Sequence, residues 1–310
     1  MSRITRRMFL QQTAIAAGMT LSSTQADAAG AKRREMVHRA IPASGGHESL
    51  PVIGMGTWNT FDVGQSATDR APLIEVLNAF HAAGAKLIDS SPMYGRAEAV
   101  TGDLVAQLHQ QGRTFLATKV WVDGLQQGIA QIERSFELLR TKRLDLLQIH
   151  NLLDWKTHAA TLRGLKDQGR VRYTGITHYT VAAHADLERV LRAEPFDFVQ
   201  LNYSLATRDA ERRLLPYCQE HGIAVLVNRP FEEGELFAQV RGRKLPGYAR
   251  EIDCTSWAQF FLKYIVSHPA VTCVIPATSR VGHMQDNLEA GFGVMPDAKL
   301  RQRMAAELGA

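Results

Sequence analysis

Cysteine is scarce in this 310-residue chain: Cys218, Cys254 and Cys273 stand far apart and no CxxC pair occurs. That excludes a disulfide framework and a thiolate metal site, and leaves three thiols suited to a packed interior. No GxGxxG follows the first aliphatic run. There GMGTWN (54–59) ends a strand with no helix start behind it, so an open doubly wound sheet lacks its usual signature. The N-terminal apolar stretch, Thr13 to Leu21, is too short and too rich in Gly, Ala and Thr to anchor the chain in a bilayer. Excess charge is also small, at +5, and the basic KRRE (32–35) carries no interleaved aromatic. It reads as a solvated tail, and no nucleic-acid partner is expected.

What is present is ample apolar surface, 45% of residues against 22% charged, enough for one large globular domain. The first residues stand apart from it. TRRMFLQQ (5–12) sets paired arginines before an apolar stretch, and ADA (26–28) offers the small residues that a signal peptidase reads. This order resembles a twin-arginine export signal, which implies the Tat export machinery as a partner and a periplasmic location, with the cytoplasm as the alternative. Cleavage after Ala28 removes three arginines and one aspartate, taking the net charge from +5 to +3. The expected division is a signal peptide over 1–28, a tail and hairpin over 29–48, and a barrel domain over 49–310.

From residue 50 onward, short aliphatic runs alternate with segments of helical period. The runs are PVIGMGT (51–57), KLID (86–89), TFLAT (114–118), LDLLQIH (144–150), VRYTGI (171–176), FDFVQLN (196–202), IAVLV (223–227) and VTCVI (271–275). PLIEVLNAFHAAG (72–84), IAQIERSFELLR (129–140) and ADLERVLRAE (185–194) show the intervening three- and four-residue spacing. Eight such units in this length predict an α/β fold, a closed (β/α)8 TIM barrel. A Gly-Gly hairpin before the first strand is placed to plug the barrel bottom, and DAKLRQRMAAEL (297–308) adds a C-terminal helix capped by its aspartate.

Barrel chemistry sits at the C-terminal ends of strands, so polar residues just after each aliphatic run are the candidates. Asp89 ends the second run with Tyr94 in its loop, Lys119 follows the third, and His150 ends the fourth. A free phenol titrates near ~10, and an adjacent ammonium is expected to lower that value. Asp89 can hold the lysine, and His150 can donate a hydrogen bond into the same volume. The set reads as a tuned general acid/base with an orienting donor; one histidine, one carboxylate and a lysine make a poor metal shell.

GMGTW, LIDSSPMYG, ATKVW, LLQIHN, VQLNYS and IPATSRVGHMQDNLEAGF together resemble the aldo-keto reductase family, in order and over nearly all of the mature chain. The resemblance implies NADP(H) as cofactor and a small-molecule carbonyl as substrate. Tyr94 is then the acid, Lys119 and Asp89 tune it, and His150 orients the carbonyl. It places Thr57, Trp58, Asp89, Thr177, His178, Gln200 and Asn228 around the nicotinamide, Trp58 and Trp121 around the substrate, and Thr278, Ser279, Arg280 and Asn287 at the adenosine end. Thr177 and His178 stand where the family commonly has Ser and Asn, Asn228 where an aromatic commonly stacks, and His283 where many members have arginine. A nicotinamide-bound redox sensor or partner-binding module is the alternative function. Short loops around the mouth are expected, with a broad substrate range.

Overall fold

The computed structural model describes residues 34–309, and the expected signal peptide lies outside them. The chain opens with an antiparallel hairpin, β1 (His38–Ala40) with β2 (Ser49–Pro51), turned through Gly45 and Gly46, both at positive φ. The barrel strands follow as β3 (Met55–Gly56), β4 (Leu87–Asp89), β5 (Phe115–Val120), β6 (Leu144–His150), β7 (Val171–Thr177), β8 (Phe198–Asn202), β9 (Ala224–Asn228) and β10 (Val271–Val274). Each pairs in parallel with the next in sequence, and bridges from Ile53 to Val274 and from Gly56 to Ala277 bring the two edges together. All eight aliphatic runs are therefore barrel strands. The first run divides: its start pairs in the hairpin, and only Met55 and Gly56 remain as β3.

Helices cover the outside: α1 (Ala67–Ala82), α2 (Ala97–Gln107), α3 (Leu125–Leu138), α4 (Trp155–Asp167), α5 (His184–Ala193), α6 (Leu214–Glu220), α7 (Glu235–Gln239), α8 (Trp257–Val266) and α9 (Val281–Glu289). The C-terminal α10 (Ala298–Ala306) begins at Asp297, whose carboxylate accepts from Leu300 N at 2.7 Å, the aspartate cap read from the sequence. α1 starts earlier than its apolar period shows. Ser66 caps it by accepting from Asp69 N, so Pro72 falls inside the helix and not at its start.

The strand period of two sorts side chains into two layers. Leu87, Phe115, Ala117, Leu146, Tyr173, Phe198, Ala224 and Leu226 fill the barrel interior, where the hairpin's Ile41 and Leu50 join them. Both hairpin residues are almost wholly buried, each worth about 1.5–3 kcal/mol of apolar burial. Neighbours of opposite parity, such as Ile88, Leu147, Ile149, Val199 and Leu201, pack in the cluster shared with the helices. All three cysteines are free and buried, as core thiols.

Candidate active site

The same alternation that fills the bottom of the barrel makes its upper layer polar. Two residues above Leu87 comes Asp89, above Ala117 Lys119, above Leu146 Gln148 and then His150, above Phe198 Gln200, and above Leu226 Asn228. Gly175 leaves room for this layer. A Cβ there would stand 2.9 Å from Phe198 O and 3.3 Å from Gln148 Cγ.

Lys119 is fully buried, and its ammonium donates to Asp89 Oδ2 and to Ser90 O, both at 2.6 Å. Asp89 Oδ1 accepts from Gln148 Nε2 and Gln200 Nε2, each at 3.0 Å. Gln200 Nε2 also donates to Gln148 Oε1 at 3.2 Å, and Gln200 Oε1 accepts from Asn228 Nδ2 at 3.2 Å. The carboxylate is thus held by an ammonium on one oxygen and two amides on the other. Burial alone would lower the Lys119 ammonium, but Asp89 and then Tyr94 outweigh it and hold the group above the usual lysine range.

Tyr94 lies with its ring centroid 5.0 Å from the Lys119 nitrogen and 5.8 Å from the His150 ring. Here the structure corrects the expected direction of its shift. Burial raises the phenol, Lys119 pulls it down, Asp89 pushes it back up, and the outcome lies above 10.0. The lysine does act on the tyrosine, but the aspartate beside it cancels part of its field. The result is a phenol that keeps its proton, the form a proton donor requires.

His150 is driven down to about 2 by burial first, then by the Lys119 ammonium and His178, so its imidazole is neutral. Its Nδ1 lies 3.0 Å from Ser91 Oγ, which also accepts from Met93 N at 3.3 Å. With the Ser91 hydroxyl hydrogen directed at Nδ1, Nε2 is left as the N–H donor. Neither Ser91 nor Gln148 was among the sequence candidates. Gln148 carries a legible signal, since it precedes His150 by two on one strand and so shares its face.

Over this floor opens a cavity of about 1250 Å³. Thr57, Trp58, Asp89, Tyr94, Trp121, His150, Thr177, Gln200 and Asn228 line one part of it, and Thr278 and Asn287 another. Lys119 sits beneath the lining. His178, Ser279 and Arg280 do not border the cavity. The His178 ring turns to its own loop, where Nδ1 accepts from Tyr179 N at 3.0 Å and Thr180 N at 3.3 Å and the ring stacks on Tyr179. Its main-chain oxygen accepts from Asn228 Nδ2 at 3.2 Å. Ser279 and Arg280 are exposed at the start of α9, while His283 and Asp286 on that helix do line the cavity. Asp286 accepts from Ser256 Oγ at 2.8 Å and Gln259 Nε2 at 2.7 Å.

The connection after β9 departs from the expected short loops. It runs to Ser256, with the short α7 within it, and Phe231, Phe237 and, at the start of α8, Trp257 add aromatic faces to the wall that sequence reading missed. Asn228 Oδ1 and Asn151 Oδ1, on two cavity-lining residues, are shielded from solvent without a hydrogen-bond partner. Such acceptors suit a ligand that brings N–H donors.

Comparison with known proteins agrees with this geometry. Residues 52–303 match the aldo/keto reductase family. Methylglyoxal reductase YeaE of Escherichia coli (strain K12) is 30% identical over 249 residues, 78% of this chain and 86% of that protein. The NADH-specific methylglyoxal reductase of the same organism is 25% identical over 248 residues, 68% of this chain and 73% of that protein. A crystal structure of an aldo-keto reductase from Klebsiella pneumoniae in complex with NADPH superposes with a TM-score of 0.68 at 25% identity, covering 89% of this chain and 95% of that one. The chain belongs to the aldo/keto reductase family.

Proposed function

We propose that the protein reduces an aldehyde or ketone to an alcohol with NADPH. The observation that carries this reading is the buried Lys119–Asp89 pair beneath Tyr94, with a neutral His150 beside it on the floor of the cavity. Bound nicotinamide supplies the hydride. His150 donates its Nε2 hydrogen to the carbonyl oxygen and orients it, and Tyr94 gives that oxygen its proton as negative charge develops there. Lys119 stabilises the phenolate left behind, and Asp89, gripped by Gln148 and Gln200, fixes the lysine.

The residues fit the cofactor. The cavity is continuous from Tyr94 and His150 to Thr278 and Asn287, and the unpaired Asn228 Oδ1 offers an acceptor to a carboxamide. The preference for NADPH rests on Arg280, exposed at the start of α9, where a guanidinium suits a ribose 2′-phosphate. The NADH-specific relative makes this preference the finer part of the proposal.

The test is steady-state turnover of the mature protein with NADPH and with NADH against a panel of aldehydes and ketones. We expect turnover with preference for NADPH, and a loss of about 10²–10⁴-fold in Tyr94→Phe. NADPH binding without turnover on any carbonyl would overturn the reading in favour of a cofactor-bound sensor.

A further inference from the structure

Charge is distributed unevenly along the cavity. Among the described residues that line it, Arg229 is the one lysine or arginine, while Asp89, Glu233 and Asp286 are carboxylates. Asp89 is committed to Lys119 and Asp286 to Ser256 and Gln259. Arg229 and Glu233 are committed to each other, at 2.8 Å, with side chains 36% and 49% exposed. The guanidinium also lies 5.8 Å from the centroid of Tyr179, which reaches it from the loop after β7. Tyr179 and Arg229 border both the main cavity and a smaller one of about 230 Å³, so the pair forms the partition between them.

The loop that carries Arg229 is held in an uncommon shape. Arg229, Glu232 and Glu233 all adopt positive φ, at 49°, 50° and 57°, a region that disfavours residues with a side chain. Glu232 fastens it by accepting from the Ser204 hydroxyl and, at 2.5 Å, from Thr207 Oγ1. This keeps Glu233 within reach of Arg229. Because β9 and β10 are adjacent, the loop after β9 flanks the route between the nicotinamide end at Asn228 and the adenosine end at Thr278 and Asn287. A dinucleotide's diphosphate lies between its two nucleosides and must pass along that stretch.

We propose that Arg229 is the diphosphate counter-ion of the groove and that Glu233 is its resident competitor, so that binding exchanges a carboxylate partner for a phosphate. The inference rests on the cofactor reading above and adds the residue that grips the diphosphate and the residue that opposes it. Guanidinium–phosphate contacts are charge-assisted and bidentate, whereas an ion pair this exposed is weak. The two members of one ion pair therefore act on affinity in opposite directions.

Calorimetric titration of NADPH tests this directly, with adenosine 2′-monophosphate as a probe that lacks the diphosphate. Arg229→Met should weaken NADPH binding by about tenfold or more and leave the 2′-monophosphate unchanged. Glu233→Gln, a mild change at an exposed position, should tighten NADPH by about two- to fivefold, and that gain should vanish in the double variant. The proposal is overturned if Arg229→Met binds NADPH as the wild type does, if it weakens both probes equally, or if Glu233→Gln also weakens binding. Failure of the wild type itself to bind NADPH would overturn the cofactor reading and this inference with it, whereas the variant outcomes strike the inference alone.

Discussion

A phenol buried beside an ammonium is pulled in two directions, and Tyr94 shows which prevails when a carboxylate shares the site. Desolvation raises it, Lys119 lowers it, and Asp89 opposes Lys119. In the mechanism proposed above, the lysine is therefore better described as stabilising the phenolate formed during reaction than as ionising the tyrosine beforehand. Its removal has a second consequence, because Asp89 is nearly as buried as Lys119. Lys119→Met should lower turnover by about 10²–10⁴-fold and also destabilise the fold by about 3–5 kcal/mol, through an uncompensated buried carboxylate. Adding Asp89→Asn should restore much of the stability and none of the turnover. Urea unfolding and steady-state kinetics on both variants separate the two effects; recovery of activity in the double variant would show that the lysine's field has no part in the chemistry.

The loop from Ser90 to Arg96 converts strand position into chemistry at the scale of an element. Ser91 O accepts from Tyr94 N at 3.0 Å, and Tyr94 O from Ala97 N at 3.1 Å, closing a turn that needs Gly95 at φ 60°. A Cβ on Gly95 would fall 2.4 Å from Asp62 Oδ2, whose other oxygen accepts from Arg96 N and Arg96 Nε. Gly95→Ala should cost about 1–2 kcal/mol of stability. It should lower kcat by about 10–100-fold, because the neighbouring Tyr94 hydroxyl shifts, while NADPH affinity stays unchanged. An unaltered kcat would show that the turn does not set the tyrosine's position. The eight strands were legible because each is a buried aliphatic run, and Asp89, Lys119 and His150 because they end such runs. Pro51 and its neighbours misled because a strand pairing in the hairpin looks the same, in one sequence, as a strand pairing in the barrel. Tyr179 and Ser91 were hidden for another reason: Tyr179 meets Arg229 of the loop after β9 and Ser91 meets His150 at the end of β6, and no spacing announces a contact between separate segments.

At the scale of the whole molecule, the histidines pushed furthest down among the described residues are His81 and His268, each to about 4, and His150, to about 2, each lowered chiefly by burial. Unfolded, each titrates near 6.5, so below that pH the unfolded chain binds more protons and stability must fall as pH falls. The loss approaches about 1.4 kcal/mol per pH unit for each histidine, between pH ~6.5 and its folded value. Glu98 and Asp145 act with the opposite sign. Burial raises both, so the native state takes up their protons above the ordinary carboxylate range and gains stability there as pH falls. Carboxylates that arginines hold low, Glu133 and Glu188 among them, act with the histidines' sign toward the acid end of the range from pH 6.5 to 4.5. The net slope over that range is therefore a sum of opposing contributions, from which a single substitution isolates one. His268 Nδ1 accepts from Ala270 N at 3.2 Å, a bond that asparagine can keep. In His268→Asn the fall in urea-unfolding free energy from pH 7 to pH 5 should be smaller than in the wild type by about 2 kcal/mol, one histidine's share. Equal falls in the two proteins would mean that His268 charges without cost in the native fold, and the barrel's acid sensitivity would then have to come from other groups, His81 and His150 among them.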